Sequence, residues 1–285
     1  MANTLKVGLV QMTSTVSVER NIEIASGFVR QAAADGAELV GLPEVVNLMQ
    51  IDRKESSKVA RLEDEDPTLA AYRALAQELG IWLHAGSLMI RLSDDSRFAN
   101  RGFLIDPAGE IRGRYDKIHM FDVDLANGES YRESNGFRPG DQATLVDTPW
   151  GGYGMTVCYD VRFPHLYRDL AKAGARILAV PAAFTRTTGQ AHWHTLLKAR
   201  AIENGCFVIA PAQCGDHEDG RKTFGHAIAI DPWGEVLADG GEDPGYVIAE
   251  LNLDRVDEVR GMVPSLGNDR PYKKPAAPTM NAAAE

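Results

Sequence analysis

Three cysteines in 285 residues are too few, and too odd in number, for a disulfide framework, which points to a reducing compartment. No uninterrupted apolar run reaches the roughly 18 residues that a membrane helix needs. The start, Met1-Ala-Asn-Thr-Leu-Lys6, leads into only a short apolar stretch before Gln11, too brief for a secretory core, so the mature chain is expected to begin near residue 1. Basic residues are also in deficit: 30 against 40 acidic ones give a formal charge of −10. That balance argues against a footprint for nucleic acid or an anionic membrane. The expectation is a cytoplasmic protein whose partner is a small molecule.

What the chain does have is an internal echo. Gly36-Ala-Glu-Leu-Val-Gly-Leu-Pro43 is answered by Gly174-Ala-Arg-Ile-Leu-Ala-Val-Pro181, and Gly80-Ile-Trp-Leu-His-Ala85 by Gly205-Cys-Phe-Val-Ile-Ala210. Ile105-Asp-Pro-Ala-Gly-Glu110 returns as Ile230-Asp-Pro-Trp-Gly-Glu235, each with the Pro and Gly placement of a type I turn joining two strands. Gly8-Leu-Val similarly answers Gly154-Met-Thr. Each half therefore reads strand, helix, strand, helix, strand, hairpin, a duplication inside one α/β fold whose sheets pack on each other under helices. Helices are expected over about 18–34, 68–79, 164–173 and 191–204, stopped by Gly36, Gly80, Gly174 and Gly205. The polar segment 122–142 reads as a long functional loop. A single domain is expected over 1–285, with its core over about 5–253 and an extended, proline-containing tail over 254–285. The run Glu63-Asp-Glu-Asp66 reads as a solvated turn whose acids suit the following helix N-terminus.

Three reactive side chains stand where apolar runs stop. Glu44 follows Leu39-Val-Gly-Leu-Pro43, Lys117 follows Arg114-Tyr-Asp116, and Cys158 follows Gly152-Tyr-Gly-Met-Thr-Val157. A thiol attacks only as thiolate and is a few per cent ionised at neutral pH, so it needs a base or a cation beside it. The seven histidines offer no clear partner. A carboxylate in a dry pocket can act as general base, while an ammonium stabilises thiolate and oxyanion. A thiol, a carboxylate and an ammonium together can hydrolyse an amide.

Leu42-Pro-Glu44, Arg114-Tyr-Asp-Lys-Ile-His119 and Val157-Cys-Tyr-Asp-Val-Arg-Phe-Pro164 resemble, in order, the three signatures of the nitrilase superfamily of carbon–nitrogen hydrolases. The resemblance runs from about Leu5 to Leu253. It implies an α-β-β-α sandwich whose subunits pair, at least as a homodimer, and a catalytic Glu44, Lys117 and Cys158. It also implies a second carboxylate at Glu133 that positions Lys117 or the substrate; Glu129, four residues earlier, is the competitor. Gln11-Met-Thr-Ser14, Phe121-Asp-Val-Asp124, Ala191-His-Trp-His194 and Ala212-Gln-Cys-Gly215 are similar to the Nit branch, amidases acting on deaminated glutathione and on ω-amides of 2-oxo dicarboxylates. In that branch an arginine four residues past the nucleophile contacts a carboxylate, which implies Arg162 here, with Phe184 and Thr188 beside it and the Tyr159 N–H helping to receive the oxyanion. The expected reaction is hydrolysis of a small carboxylated amide with release of ammonia through a Cys158 thioester. An ω-amidase and a nitrilase are the alternatives, and the turn Asp216-His-Glu-Asp219 departs from the pattern and leaves specificity open.

No metal or organic cofactor is expected. Cys214-x2-His217-x8-His226 lacks a fourth ligand, and His192 and His194 lie on different helix faces. Cys206 reads as inert core and Cys214 as buried. A binding protein on the same fold would lack one of the three reactive residues, and none is missing; a thiol-redox role has no Cys-x-x-Cys pair to support it.

Overall fold

The computed structural model describes residues 3–125 and 128–275. In chain order the first half runs β1 (Thr4–Met12), α1 (Val18–Ala34), β2 (Leu39–Gly41), α2 (Arg53–Val59), α3 (Pro67–Leu79), β3 (Trp82–His84), β4 (Leu88–Arg91), β5 (Phe98–Ile105) and β6 (Ile111–Asp116). A small hairpin, β7 (Asp122–Asp124) and β8 (Ser130–Arg132), leads to β9 (Thr144–Thr148). The second half runs β10 (Gly151–Met155), α4 (Pro164–Lys172), β11 (Ala175–Ala179), α5 (Arg186–Asn204), β12 (Phe207–Ala210), β13 (Ala212–Asp216), β14 (Lys222–Phe224), β15 (Ile228–Ile230), β16 (Val236–Asp239), β17 (Gly245–Asn252) and α6 (Asp254–Met262).

The echo in the sequence is an echo in pairing. β1, β2 and β3 run parallel with β5 antiparallel beside them, and β10, β11 and β12 run parallel with β15 antiparallel beside them. Both matched turns close hairpins, β5–β6 and β15–β16. The halves are not closed units, however. β17 pairs antiparallel with β1 from Thr4 to Gln11, and β13 extends the same side at Gln11 and Met12. Strands from the second half thus cover the edge that β1 would otherwise expose, giving, among the described residues, sheets of nine and six strands.

β1 shows how the layers are specified. Leu5, Val7 and Leu9 face the other sheet, in one cluster with Tyr153, Ile177 and Phe207, whereas Val10 and Met12 belong with Ala25, Val29 and Ala32 of α1. Period-two alternation at the first positions and apolar residues on both faces later mark a strand buried between a sheet and a helix.

Four of the six described helices, α1, α2, α3 and α5, start at a side-chain cap. Ser17 accepts from the Arg20 N–H at 3.3 Å, and Asp66 from the Leu69 N–H at 2.9 Å, with Pro67 opening α3. Asp66 is therefore a buried cap, and Glu63 accepts from both Arg101 and Arg114, so the acidic run is only partly a solvated turn. α5 starts at Arg186, five residues before the expected start, because Thr185 caps it and Gly189 inside the helix interrupts the apolar pattern. The tail expectation is corrected more substantially. Residues 254–262 form α6, whose Val256 and Val259 are buried and whose Arg260 donates to the Ala175 carbonyl at 2.6 Å. The chain from 276 onward lies outside the described residues.

Candidate active site

The three reactive residues are placed by the ends of strands from both sheets. After β2 the chain continues beside β3, the Leu42 N–H reaching the His84 carbonyl at 2.9 Å, and then turns sharply at Val45, with φ +43°. That turn nests on Gly86, where a Cβ would stand 2.1 Å from the Pro43 carbonyl oxygen, so Glu44 occupies its place only because position 86 has no side chain. Lys117 is the residue after β6, its N–H paired with the Asn100 carbonyl at 2.9 Å. Cys158 lies three residues past β10. The Thr156 and Cys158 N–H groups continue alongside β11 to Ala179 and Pro181, and Cys158 then adopts φ +47°, a conformation that costs a non-glycine residue about 1–3 kcal/mol and points to a functional constraint.

Folding brings these side chains to the wall of one cavity of ≈ 340 Å³. The Lys117 ammonium is clamped between two carboxylates, donating to Glu44 Oε1 at 2.8 Å and to Glu133 Oε1 and Oε2 at 2.9 and 2.8 Å. Glu44 Oε2 accepts from the Ala183 N–H at 2.8 Å, and Glu133 Oε2 from the Phe121 N–H at 2.7 Å. Glu133, rather than Glu129, is the second carboxylate on Lys117; Glu129 instead accepts from the Tyr131 and Thr187 hydroxyls.

Asn100 is the site residue that sequence reasoning missed. Its Nδ2 donates to Glu44 Oε1 at 2.9 Å and to Glu133 Oε1 at 3.3 Å, spanning both carboxylates, while its own Oδ1 is buried without a hydrogen-bond partner among the described residues. The only hint was a polar residue of low strand preference inside Phe98-Ala-Asn-Arg-Gly-Phe103. Asp160 is the second. Completely buried, it accepts from the Val157 N–H, the Tyr115 hydroxyl and the His119 N–H, and pairs with His119 Nδ1, so it organises the turn that carries the thiol.

Electrostatics give each group a different protonation preference. Burial pushes Glu44 up, but the Lys117 charge and its hydrogen bonds outweigh it and leave the carboxyl below its ordinary value. Burial pushes Glu133 up, Lys117 pulls it back, and the neighbouring Glu44 charge leaves it above its ordinary value. Lys117 loses some affinity for its proton by burial, yet Glu133 and Glu44 hold it far above the usual lysine range. Cys158 is raised well above its ordinary value by burial and then by the Glu44 charge, against the pull of Lys117. One ammonium between two carboxylates leaves no positive excess for a thiolate. Both shifts favour the thiol form of Cys158 beside an ionised Glu44 carboxylate.

Seven of the eight expected site residues line the cavity: Glu44, Lys117, Glu133, Cys158, Tyr159, Phe184 and Thr188. Arg162 does not. Arg162 ends the 3₁₀ turn that starts at Cys158, and its guanidinium lies 5.3 Å from the Phe184 ring centroid, 5.8 Å from that of Tyr159 and 3.2 Å from His192 Nδ1. Cys206 and Cys214 are both fully buried, Cys214 bonded to Thr13. His217 is bonded to Ser14 and Thr223, away from the partners of His226.

The carbon–nitrogen hydrolase family model matches residues 6–261. The chain belongs to that family. This hydrolase is 43% identical, over 259 residues, to a Synechocystis sp. protein named deaminated glutathione amidase, a match covering 90% of this chain and 94% of that one. Its fold superposes on the crystal structure of the C. elegans NitFhit protein with a TM-score of 0.87 at 37% identity, covering 95% of this chain and 66% of the other. An amidase from Nesterenkonia sp. AN1, solved as a mutant with acrylamide added to its active-site cysteine, gives a TM-score of 0.76 at 25% identity, covering 91% and 98%. The hydrolase is a cysteine-dependent amidase of two mixed sheets covered by helices, and none of its described helices is long and apolar enough to cross a membrane.

Proposed function

We propose that this hydrolase cleaves an amide bond of a small, carboxylated, peptide-like substrate of the deaminated glutathione type, using Cys158 as nucleophile and Glu44 as the single acid and base. The observation that carries the reading is the Lys117 ammonium fixed between Glu44 and Glu133 on the wall that Cys158 also lines.

Glu44 accepts the Cys158 proton as sulfur bonds to the amide carbon, so that the negative charge passes from the carboxylate to the carbonyl oxygen without a standing thiolate. Lys117 and the Tyr159 N–H receive the developing oxyanion; the first N–H groups of a helical turn have no acceptor within it. The C–N bond then breaks, the leaving nitrogen takes the proton from Glu44, and an acyl thioester remains. Glu44 next removes a proton from water as the water oxygen bonds to the thioester carbon; the C–S bond then breaks, and the leaving sulfur takes that proton back from Glu44, restoring thiol and carboxylate as the acid departs. Glu133 and Asn100 position Lys117 and Glu44 throughout.

Arg53, Arg132, Arg221 and Lys222 around the cavity support an anionic substrate, alongside the carboxylate contact expected of Arg162. A peptide amide releases an amine on hydrolysis and a primary amide releases ammonia, so the assay must read both. Incubation with deaminated glutathione, 2-oxoglutaramate, N-carbamoyl acids and simple nitriles, with the new carboxylate and nitrogen products quantified, tests the reading. Highest kcat/KM on deaminated glutathione is expected. A preference for 2-oxoglutaramate would assign an ω-amidase, and nitrile turnover exceeding amide turnover would overturn the amidase reading. We also propose cytoplasmic residence and self-association as a homodimer, the latter supported by exposed Ile202, Trp233, Met262 and Val263.

A further inference from the structure

We propose that His194, His226 and Asp239 form a binding site for a divalent transition metal of the Zn²⁺ type, separate from the hydrolytic cavity. The three residues come from distant parts of the chain: His194 from α5, His226 from the turn between β14 and β15, and Asp239 from the end of β16. None lines the cavity, and the hydrolytic scheme uses none of them.

Their donor atoms converge. His226 Nδ1 lies 2.8 Å from Asp239 Oδ1, His194 Nε2 lies 2.9 Å from Asp239 Oδ2, and one donor atom from each residue falls within 4.8 Å of the others. Ligands that each stand about 2.0–2.2 Å from one zinc ion are separated from each other by roughly 3–4 Å, so the two histidine–carboxylate contacts must open slightly, and any separation near the 4.8 Å bound must close slightly, to admit the ion. Two imidazoles and a carboxylate are a donor set suited to Zn²⁺ and its neighbours. Side-chain exposures of 36% for His194, 21% for His226 and 29% for Asp239 leave an open outer face where water completes the coordination.

The surroundings hold the ligands in place. His226 has φ +56°, its N–H donates to the Gly241 carbonyl at 2.6 Å, and its carbonyl accepts from Trp193 Nε1 at 2.9 Å, so the backbone that aims the imidazole is tied on both sides. The Phe224 ring stacks on it at 4.4 Å. Asp239 Oδ1 also accepts from the Gly241 N–H at 2.9 Å, the kind of outer contact that orients a metal-binding carboxylate. On binding, the hydrogen that each imidazole directs at Asp239 moves to its other ring nitrogen and the ion takes its place, with no redox change. The ion then joins α5, the end of β16 and the turn after β14, the strand whose Lys222 and Thr223 line the cavity.

The test is titration of chelator-treated protein with ZnCl₂ by calorimetry, in a Cys158→Ala background so that the active-site thiol cannot compete. One ion per chain is expected, with a rise in Tm, and His194→Ala and Asp239→Asn should each weaken binding at least tenfold. Should either variant fail to fold, zinc-edge anomalous diffraction from crystals of the Cys158→Ala chain decides, with a peak expected between the three side chains. Absence of binding, affinity unchanged in both variants, or an anomalous peak elsewhere would overturn the proposal.

Discussion

The Tyr115 hydroxyl donates to Asp160 Oδ2 at 2.8 Å, both side chains fully or almost fully buried. Tyr115 is two residues from Lys117 and Asp160 is two residues from Cys158, so a single contact between the sheets sets the ammonium-bearing strand against the turn bearing the nucleophile. Asp160→Ala would leave the Val157 N–H, the Tyr115 hydroxyl and the His119 ring without their acceptor. Unpaired buried groups cost about 1–3 kcal/mol each, so a loss of about 3 kcal/mol or more is expected in urea denaturation. Tyr115→Phe should cost about 1 kcal/mol, and kcat should fall in both variants because Cys158 and Lys117 lose their common reference.

The state of the thiol gives a pH prediction. Burial and the Glu44 charge raise Cys158, so the thiolate fraction is small at pH 7 and still increasing above the ordinary cysteine value. Modification of Cys158 by methyl methanethiosulfonate, a small reagent with no amide to engage the site, should accelerate through pH 9 without levelling off. Glu44→Gln should move the curve to lower pH, because it removes the negative charge opposing ionisation, and Lys117→Met should move it higher. A plateau between pH 6 and 7 in the unmodified enzyme would mean a preformed thiolate.

In the proposed scheme Glu133 acts through Lys117, to which it is bonded. In Glu133→Gln the ammonium loses one of its two charged partners and drifts, and misplacement by about 1 Å is enough to cost roughly 10²-fold in kcat. KM should change much less. The acid limb of the kcat/KM profile should shift to lower pH, since a negative charge beside Glu44 has gone. A uniformly destabilised variant with an unshifted limb would reduce Glu133 to packing.

Arg162 supports the wall through its stacking on Tyr159 and Phe184. Such contacts are worth about 0.5–1 kcal/mol, so their loss alone in Arg162→Gln should alter kcat/KM by less than about tenfold and equally for charged and neutral amides. A hundredfold rise in KM confined to carboxylated substrates would mark the carboxylate contact expected of this residue.

The parts legible in the sequence were those written in local chemistry. The two Asp-Pro-x-Gly turns, the helix-ending glycines and the buried runs ending at Glu44, Lys117 and Cys158 all depend on neighbours a few residues away. What escaped depends on pairing across the fold. Asn100 is an ordinary strand residue until β5 and β6 set it between Glu44 and Glu133, and β17 reads like any terminal strand although it seals the edge of β1. Arg162 ends a 3₁₀ turn that sets its guanidinium against Tyr159 and Phe184, an arrangement that its spacing from Cys158 alone does not reveal. α6 was obscured by the prolines after it, while Asp52, which accepts from the Lys54 and Glu55 N–H groups, was an overlooked signal for α2.

Rapid-quench mass spectrometry during turnover of an accepted amide addresses the chemistry most directly. An added mass equal to the substrate acyl group, mapped to the peptide containing Cys158 and absent from Cys158→Ala, is the expected result. Turnover that continues in Cys158→Ala, or an acyl group found on any other residue, would contradict nucleophilic catalysis by this thiol.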